Sequence, residues 1–206
     1  MMEMVLILLL SILSCVPFVI RFERRKGEHI GREIAVLAVL IGMSALGRFV
    51  FAWLPGFKPL GAVAILAGIY LGGDAGFLVG SLSMVVSNFY FGHGPWTLFQ
   101  MVAFGLIGFG AGLMGRVLRN RVIPATLYGV LSALFFSMLM DVWTALWMDG
   151  GFVLTRYLAL IVAAMPFTVI YAVSNVLFLL ILMKPVGHTL TRLRVKYGIF
   201  SKSEKM

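Results

Sequence analysis

The chain has 206 residues, 61% of them hydrophobic and only 12% charged, and its mean hydropathy is +1.03. A soluble domain is nearer half apolar and a quarter charged, so there is too little polar surface here to hydrate a globule, and lipid must be the main solvent. The net charge of +9 would point to nucleic acid in a soluble chain, but the basic residues gather in three short stretches between apolar segments. Cytoplasmic loops collect Lys and Arg in this way, so the bilayer is the expected partner and nucleic acid is not.

The first apolar segment, residues 4–20, is not expected to be a cleaved signal peptide. Glu3 is the only charge before it, it has no small-x-small cleavage site, and Arg21, Arg24, Arg25 and Lys26 follow it directly. It reads as a retained helix with its C-terminus in the cytoplasm. Cys15, the single cysteine, lies in this run, so no intrachain disulfide can form. No C-x-x-C or H-E-x-x-H pattern occurs, and neither a metal nor an intrinsic cofactor is expected.

The second segment, 33–54, carries Ala35, Ala38, Gly42 and Ala45 on one helix face. Small residues in such a row let another helix approach closely, either within this chain or from another membrane subunit. Arg48 lies near the outer end. The third segment, 59–72, is short for a crossing of ~30 Å, which takes about 20 residues. It must tilt little, or cross where the bilayer is thin or protein covers it. Gly72, Gly73 and Gly76 around Asp74 mark a turn into the fourth segment, 76–92.

Between the fourth and fifth (97–115) segments lies Phe91-Gly-His93-Gly-Pro-Trp96, a tight turn that holds His93 and Trp96 over the helix mouths, with Asn88 and Gln100 on its flanks. The sixth segment, 122–147, carries Asp141 inside its outer end. A carboxylate at that depth needs a polar cavity or a partner, and Arg48 is the natural one. The seventh, 155–183, contains Pro166, where a kink is expected, and Asn175, a candidate interhelical hydrogen bonder. A basic tail follows Lys184 and is expected to be a helix lying on the membrane surface.

Seven crossings place the N-terminus outside and the C-terminus in the cytoplasm. Every Lys and Arg except Arg48, Lys58 and Arg156 then lies on the inner side, as the positive-inside rule requires. All four tryptophans fall in the outer half. An aromatic belt would appear at both interfaces, whereas the inner one has little beyond Phe22, Tyr128, Tyr197 and Phe200. An aromatic-lined pocket opening outward accounts for the bias better. Its candidate substrate-binding residues are Arg48, Phe57, Lys58, Asn88, Phe91, His93, Trp96, Gln100, Asp141, Trp143 and Trp147.

The chemistry implied is recognition rather than catalysis. Arg48 and Asp141 are the ionisable residues at membrane depth, with no second acid or Ser–His pair beside them. No G-x-x-x-x-G-K-[ST] loop occurs, so ATP hydrolysis belongs elsewhere. Loss of binding is expected after Trp96→Ala or His93→Ala.

On these residues the chain resembles the substrate-binding (S) components of energy-coupling factor (ECF) transporters. Ala38-Val-Leu-Ile-Gly42 is similar to the Ala-x-x-x-Ala motif by which those proteins meet their transmembrane coupling subunit, with Gly in place of the second Ala. The run Ser87–Met101, followed by Gly105, Gly108 and Gly112, resembles a subgroup that takes cobalamin, as does the segment from Arg48 to Pro59. The resemblance implies an all-α polytopic bundle: a six-helix core over 33–184, an additional N-terminal transmembrane helix and basic loop in 1–32, and a basic cytoplasmic tail over 185–206. It also implies a plasma-membrane vitamin importer without catalysis of its own, partnered by the coupling subunit, through Ala35, Ala38, Gly42 and Ala45, and by two cytoplasmic ATPases. Cobalamin leads as cargo; riboflavin, pantothenate and other cofactor precursors remain open.

Overall fold

The computed structural model describes residues 30–200 and the single residue Val16. The additional helix expected over 4–20 therefore lies, apart from Val16, outside the described residues, as do Cys15 and the basic run after it. Among the described residues the chain is helical without a strand: α1 (Ile30–Val50), α2 (Leu60–Leu71), α3 (Gly73–Phe91), α4 (Trp96–Leu113), the single turn α5 (Gly115–Leu118), α6 (Val122–Asp149) and α7 (Leu154–Tyr197). Four stretches are long and apolar enough to cross a membrane: Ile30–Val50, Trp96–Leu113, Val122–Met148 and Leu154–Tyr197.

Much of the surface is apolar. Val39 is 69% exposed, Val162 69% and Ile181 63%, each on a helix whose other side packs inward. Exposed aliphatic stripes on this scale cannot face water and suit lipid. Conversely, Arg48, Ser87, Asn88, Asp141 and Asn175 are buried, which is where a membrane bundle keeps its polar groups.

The short helix α2 sits at the centre, and all of its residues are buried. It packs against α1, α3, α4 and α7. An apolar helix with no polar face belongs in such a place, and its protein cover is the answer to its short length. Gly72 adopts φ 108° between α2 and α3, a conformation that only glycine takes without strain. The turn expected at 72–76 is thus one residue at its head, with α3 beginning at Gly73.

Glycine also sets how closely α2, α3 and α4 approach. A Cβ on Gly76 would strike the Gly108 carbonyl and come within 2.7 Å of the Gly68 Cα, and one on Gly112 would strike the Gly73 backbone. The helices touch backbone to backbone, a contact that dispersion rather than the hydrophobic effect must hold in lipid.

Two ends of the bundle are tied differently. At one, the Lys58 backbone N–H donates to the Ser174 hydroxyl at 2.9 Å, which donates in turn to the Lys58 carbonyl at 3.0 Å. At the other, Tyr70 donates to Asn120 at 3.1 Å, Arg194 donates to the Tyr70 carbonyl, and the Glu33 carboxylate accepts the Phe200 N–H. Between them the Asn175 amide donates to the Gly129 carbonyl at 3.0 Å, joining α7 to α6 as its mid-helix position implies.

The surface-lying tail helix expected after Lys184 is instead the continuation of α7, which runs on through Pro166 and Pro185. Leu190, Ile199 and Phe200 are buried beneath the bundle. The reason is a stripe of Met183, Val186, Gly187, Leu190 and Leu193 that keeps helical spacing across the prolines, so the packing outweighs the N–H each proline removes.

Candidate functional site

Arg48 ends α1 and points inward. Its guanidinium donates to the Asn88 side-chain oxygen at 3.0 Å, to the Ser87 hydroxyl and to the Met84 sulfur, all on α3. It lies over the Phe91 ring at 4.7 Å. Asn88 is itself fixed from the other side. Its amide nitrogen donates to Thr97 Oγ1 at 3.1 Å and to Gln100 Oε1 at 2.9 Å, on α4. The turn before α4 completes the frame, since Gly94 N–H donates to the same Thr97 oxygen at 3.2 Å. A chain of side chains from α4 through α3 thus locks the orientation of one arginine.

Lys58, in the α1–α2 connection, brings a second cation to the same place. Its ammonium lies 5.1 Å from the centre of the Phe91 ring. Burial, and next the charge of Arg48, hold Lys58 below the ordinary lysine value. Two cations therefore share one aromatic ring, and neither makes an ion pair among the described residues.

These groups open onto a cavity of about 330 Å³ lined by α1, α2, α3, α4, α6, α7 and the α1–α2 connection. Arg48, Lys58, Gln100 and Asp141 line it together. Its remaining wall is largely apolar, with Phe104, Phe136, Phe167 and Tyr171 as the aromatic part. Phe104 and Phe136 pack at 4.7 Å between centroids, and Phe136 and Tyr171 at 5.3 Å. Ser137 and Thr168 share a hydrogen bond of 2.6 Å that clamps α6 to α7 on that wall. A concave, mainly apolar space with a few converging polar groups is the usual form of a small-molecule site.

Asp141 is 8% exposed, and its Oδ2 is buried without a hydrogen-bond partner. The ion pair with Arg48 expected from the sequence does not form, although both residues line the cavity. The reason is that Arg48 is already committed to Ser87, Asn88 and Met84.

The other sequence candidates separate into groups. Asn88 and Phe91 support the cations from behind. Phe57 turns away to Phe51 and Phe178, at 5.5 and 5.2 Å. Trp143 stacks on Phe99 and Trp147 at 5.0 and 5.3 Å, Trp96 and Trp147 are exposed, and His93 meets the edge of Phe89 at 4.8 Å. None of these five lines the cavity. Trp53, Trp96 and Trp147 lie on the surface, and the residues that line the cavity itself, Arg48 and Asp141 among them, join Trp96 and His93 as positions whose substitution tests binding. The aromatic wall actually present, from Phe104 to Tyr171, lies deeper, where sequence reasoning does not find it. Its signal is a ring at helical spacing on α4, α6 and α7, indistinguishable in sequence from ordinary core.

Of the small residues on α1, Ala35 and Ala38 are exposed, Gly42 has nothing within 4 Å of the place a side-chain carbon would take, and Ala45 is buried in this chain's own core. Three of the four thus face outward.

A family model described as a family of unknown function, DUF6580, matches residues 28–194. No curated protein and no solved structure matches the chain.

Proposed function

From the premise that this chain belongs to the DUF6580 family, we propose that it is the substrate-binding membrane subunit of an ECF-type importer, which captures a vitamin or cofactor precursor from outside the cell. The observation that carries the proposal is the cavity of about 330 Å³, in which Arg48, Lys58, Gln100 and Asp141 converge within an aromatic wall. The positive-inside rule puts the end bearing Tyr70, Asn120 and Arg194 in the cytoplasm, so the cavity belongs to the outer half of a plasma-membrane protein. The N-terminus then lies outside and six helices of the described core cross the bilayer, α2 under cover of its neighbours.

In this reading the subunit does no chemistry. Two cytoplasmic ATPases supply the energy through a transmembrane coupling subunit, which docks on the outward-facing small residues Ala35, Ala38 and Gly42. Cavity size bears on the cargo. Sites of ~300–1,000 Å³ hold drug-sized molecules, and a corrin would overfill one at the lower limit. A compact precursor suits it better. Cobalamin stays as the second reading, favoured by the loop between α3 and α4, and would sit at the rim.

Equilibrium binding of the purified full chain to a panel of vitamins tests the proposal. Saturable binding of one member is expected, and no binding by any member would refute it. For an anionic cargo the affinity should also fall as the pH rises through the alkaline range in which Lys58 loses its proton. Lys58 titrates below the ordinary lysine value, so its charge is present at low pH and lost on the alkaline side; the limiting slope is about tenfold per pH unit for one linked proton. Lys58→Gln should flatten this dependence.

A further inference from the structure

We infer that the cavity is built for a zwitterion: a compact, ring-bearing molecule with an anionic group for Arg48 and Lys58 and a cationic, hydrogen-donating group for Asp141. This deepens the substrate-capture reading and rests on it.

At the cationic side, Arg48 and Lys58 share the Phe91 ring at 4.7 and 5.1 Å. Like charges so close repel, and neither has an acidic partner among the described residues. One anionic group between them would relieve the repulsion and accept hydrogen bonds from both. At the acidic side, the buried Asp141 Oδ2 has no hydrogen-bond partner. A buried acceptor left empty is rare in a folded protein and asks for a missing donor.

Arg48 and Asp141 do not satisfy each other. Opposite charges in an apolar cavity attract strongly, yet Arg48 is held on α3 by Ser87 and Asn88, and Asn88 in turn by Thr97 and Gln100 on α4. Swinging to Asp141 would abandon that network. The protein therefore keeps the Arg48 guanidinium, fixed on α3, and the unpartnered Asp141 carboxylate apart within one cavity, and a ligand that carries both complementary charges bridges them. Preorganised groups of this kind need little rearrangement on binding. The wall of Phe104, Phe136, Phe167 and Tyr171 supplies ring contacts between the poles, and the volume of about 330 Å³ limits the molecule to one or two rings.

The test is equilibrium binding to the purified full chain in lipid nanodiscs. The probes are L-tryptophan and pyridoxamine 5′-phosphate as zwitterions, N-acetyl-L-tryptophan as the matched anion, L-tryptophan methyl ester as the matched cation, and thiamine, pantothenate and riboflavin as cationic, anionic and neutral ring or chain compounds. The tightest binder should be a zwitterion, and blocking either of its charges should weaken it at least tenfold. Asp141→Asn, which keeps the shape, should weaken the zwitterion at least tenfold and leave the matched anion within twofold. A singly charged or neutral compound as tightest binder would overturn the inference while leaving substrate capture standing. So would an Asp141→Asn effect equal on zwitterion and anion. Binding of no probe to the native chain would overturn both. Should the variant not fold, the comparison of probes on the native chain decides alone.

Discussion

Gly108→Val should abolish the fold or lower its unfolding temperature by roughly 10 °C. A side-chain carbon at position 108 would strike the Gly76 carbonyl oxygen and carbon and approach the Gly76 Cα to 3.0 Å. Those are backbone atoms and cannot rotate away. The helices α3 and α4 would have to separate, and the central helix with them, because Gly68 also packs against Gly108. Overpacking a well-fitted core costs about 1–3 kcal/mol, and more where backbone must move. For a chain of this size each kcal/mol is worth roughly 2–4 °C. Gly42→Val is the control, since nothing lies within 4 Å of a side chain built there; it should leave the unfolding temperature of the isolated chain unchanged. Thermal unfolding of both variants in the same detergent gives the comparison.

Arg48→Leu should remove ligand binding while leaving the bundle folded. The arginine is the one cation at the cavity held by three α3 side chains, and it sets where the ligand's anion lies. Truncating one partner of a buried charged contact costs about 2–5 kcal/mol of binding, which is roughly 30-fold to several thousand-fold in affinity. The stability loss should be smaller, about 1–3 kcal/mol, as the Ser87 and Asn88 oxygens lose a donor. Arg48→Lys should fall between, because an ammonium carries the charge but cannot reach three acceptors in one plane. Titration calorimetry and thermal unfolding on the same preparations separate the two effects. Equal losses in both would mean that Arg48 is only structural.

The helices are legible in the sequence because their signals are one-dimensional. Apolar runs bounded by Gly72, Gly92 and Arg121 end where the structure ends them, within a few residues. The last helix, α7, is only partly legible. Two prolines and a rise in charge after Lys184 look like a boundary, while the stripe that carries the helix on to Tyr197 is visible only as spacing. The cavity is half legible. Arg48, Lys58, Gln100 and Asp141 stand out because ions and amides are rare at membrane depth. Trp96, Trp143 and Trp147 stand out as well, yet tryptophan marks an interface as readily as a pocket, and none of the three lines this cavity. Nothing one-dimensional reveals that Arg48 is held by Asn88 and so kept from Asp141. That fact depends on the packing of α3 against α4, which the glycines set.

Substrate capture from outside requires the loop with Trp53 to face the medium and the α5–α6 turn to face the cytoplasm. Both Trp53 and Arg121 are exposed and accept a probe. In a Cys15→Ser background, Trp53→Cys and Arg121→Cys can each be treated on intact cells with a membrane-impermeant maleimide. Labelling at position 53 without permeabilisation, and at 121 only after it, is the predicted result. Labelling at 121 with protection at 53 would turn the cavity toward the cytoplasm and contradict the account.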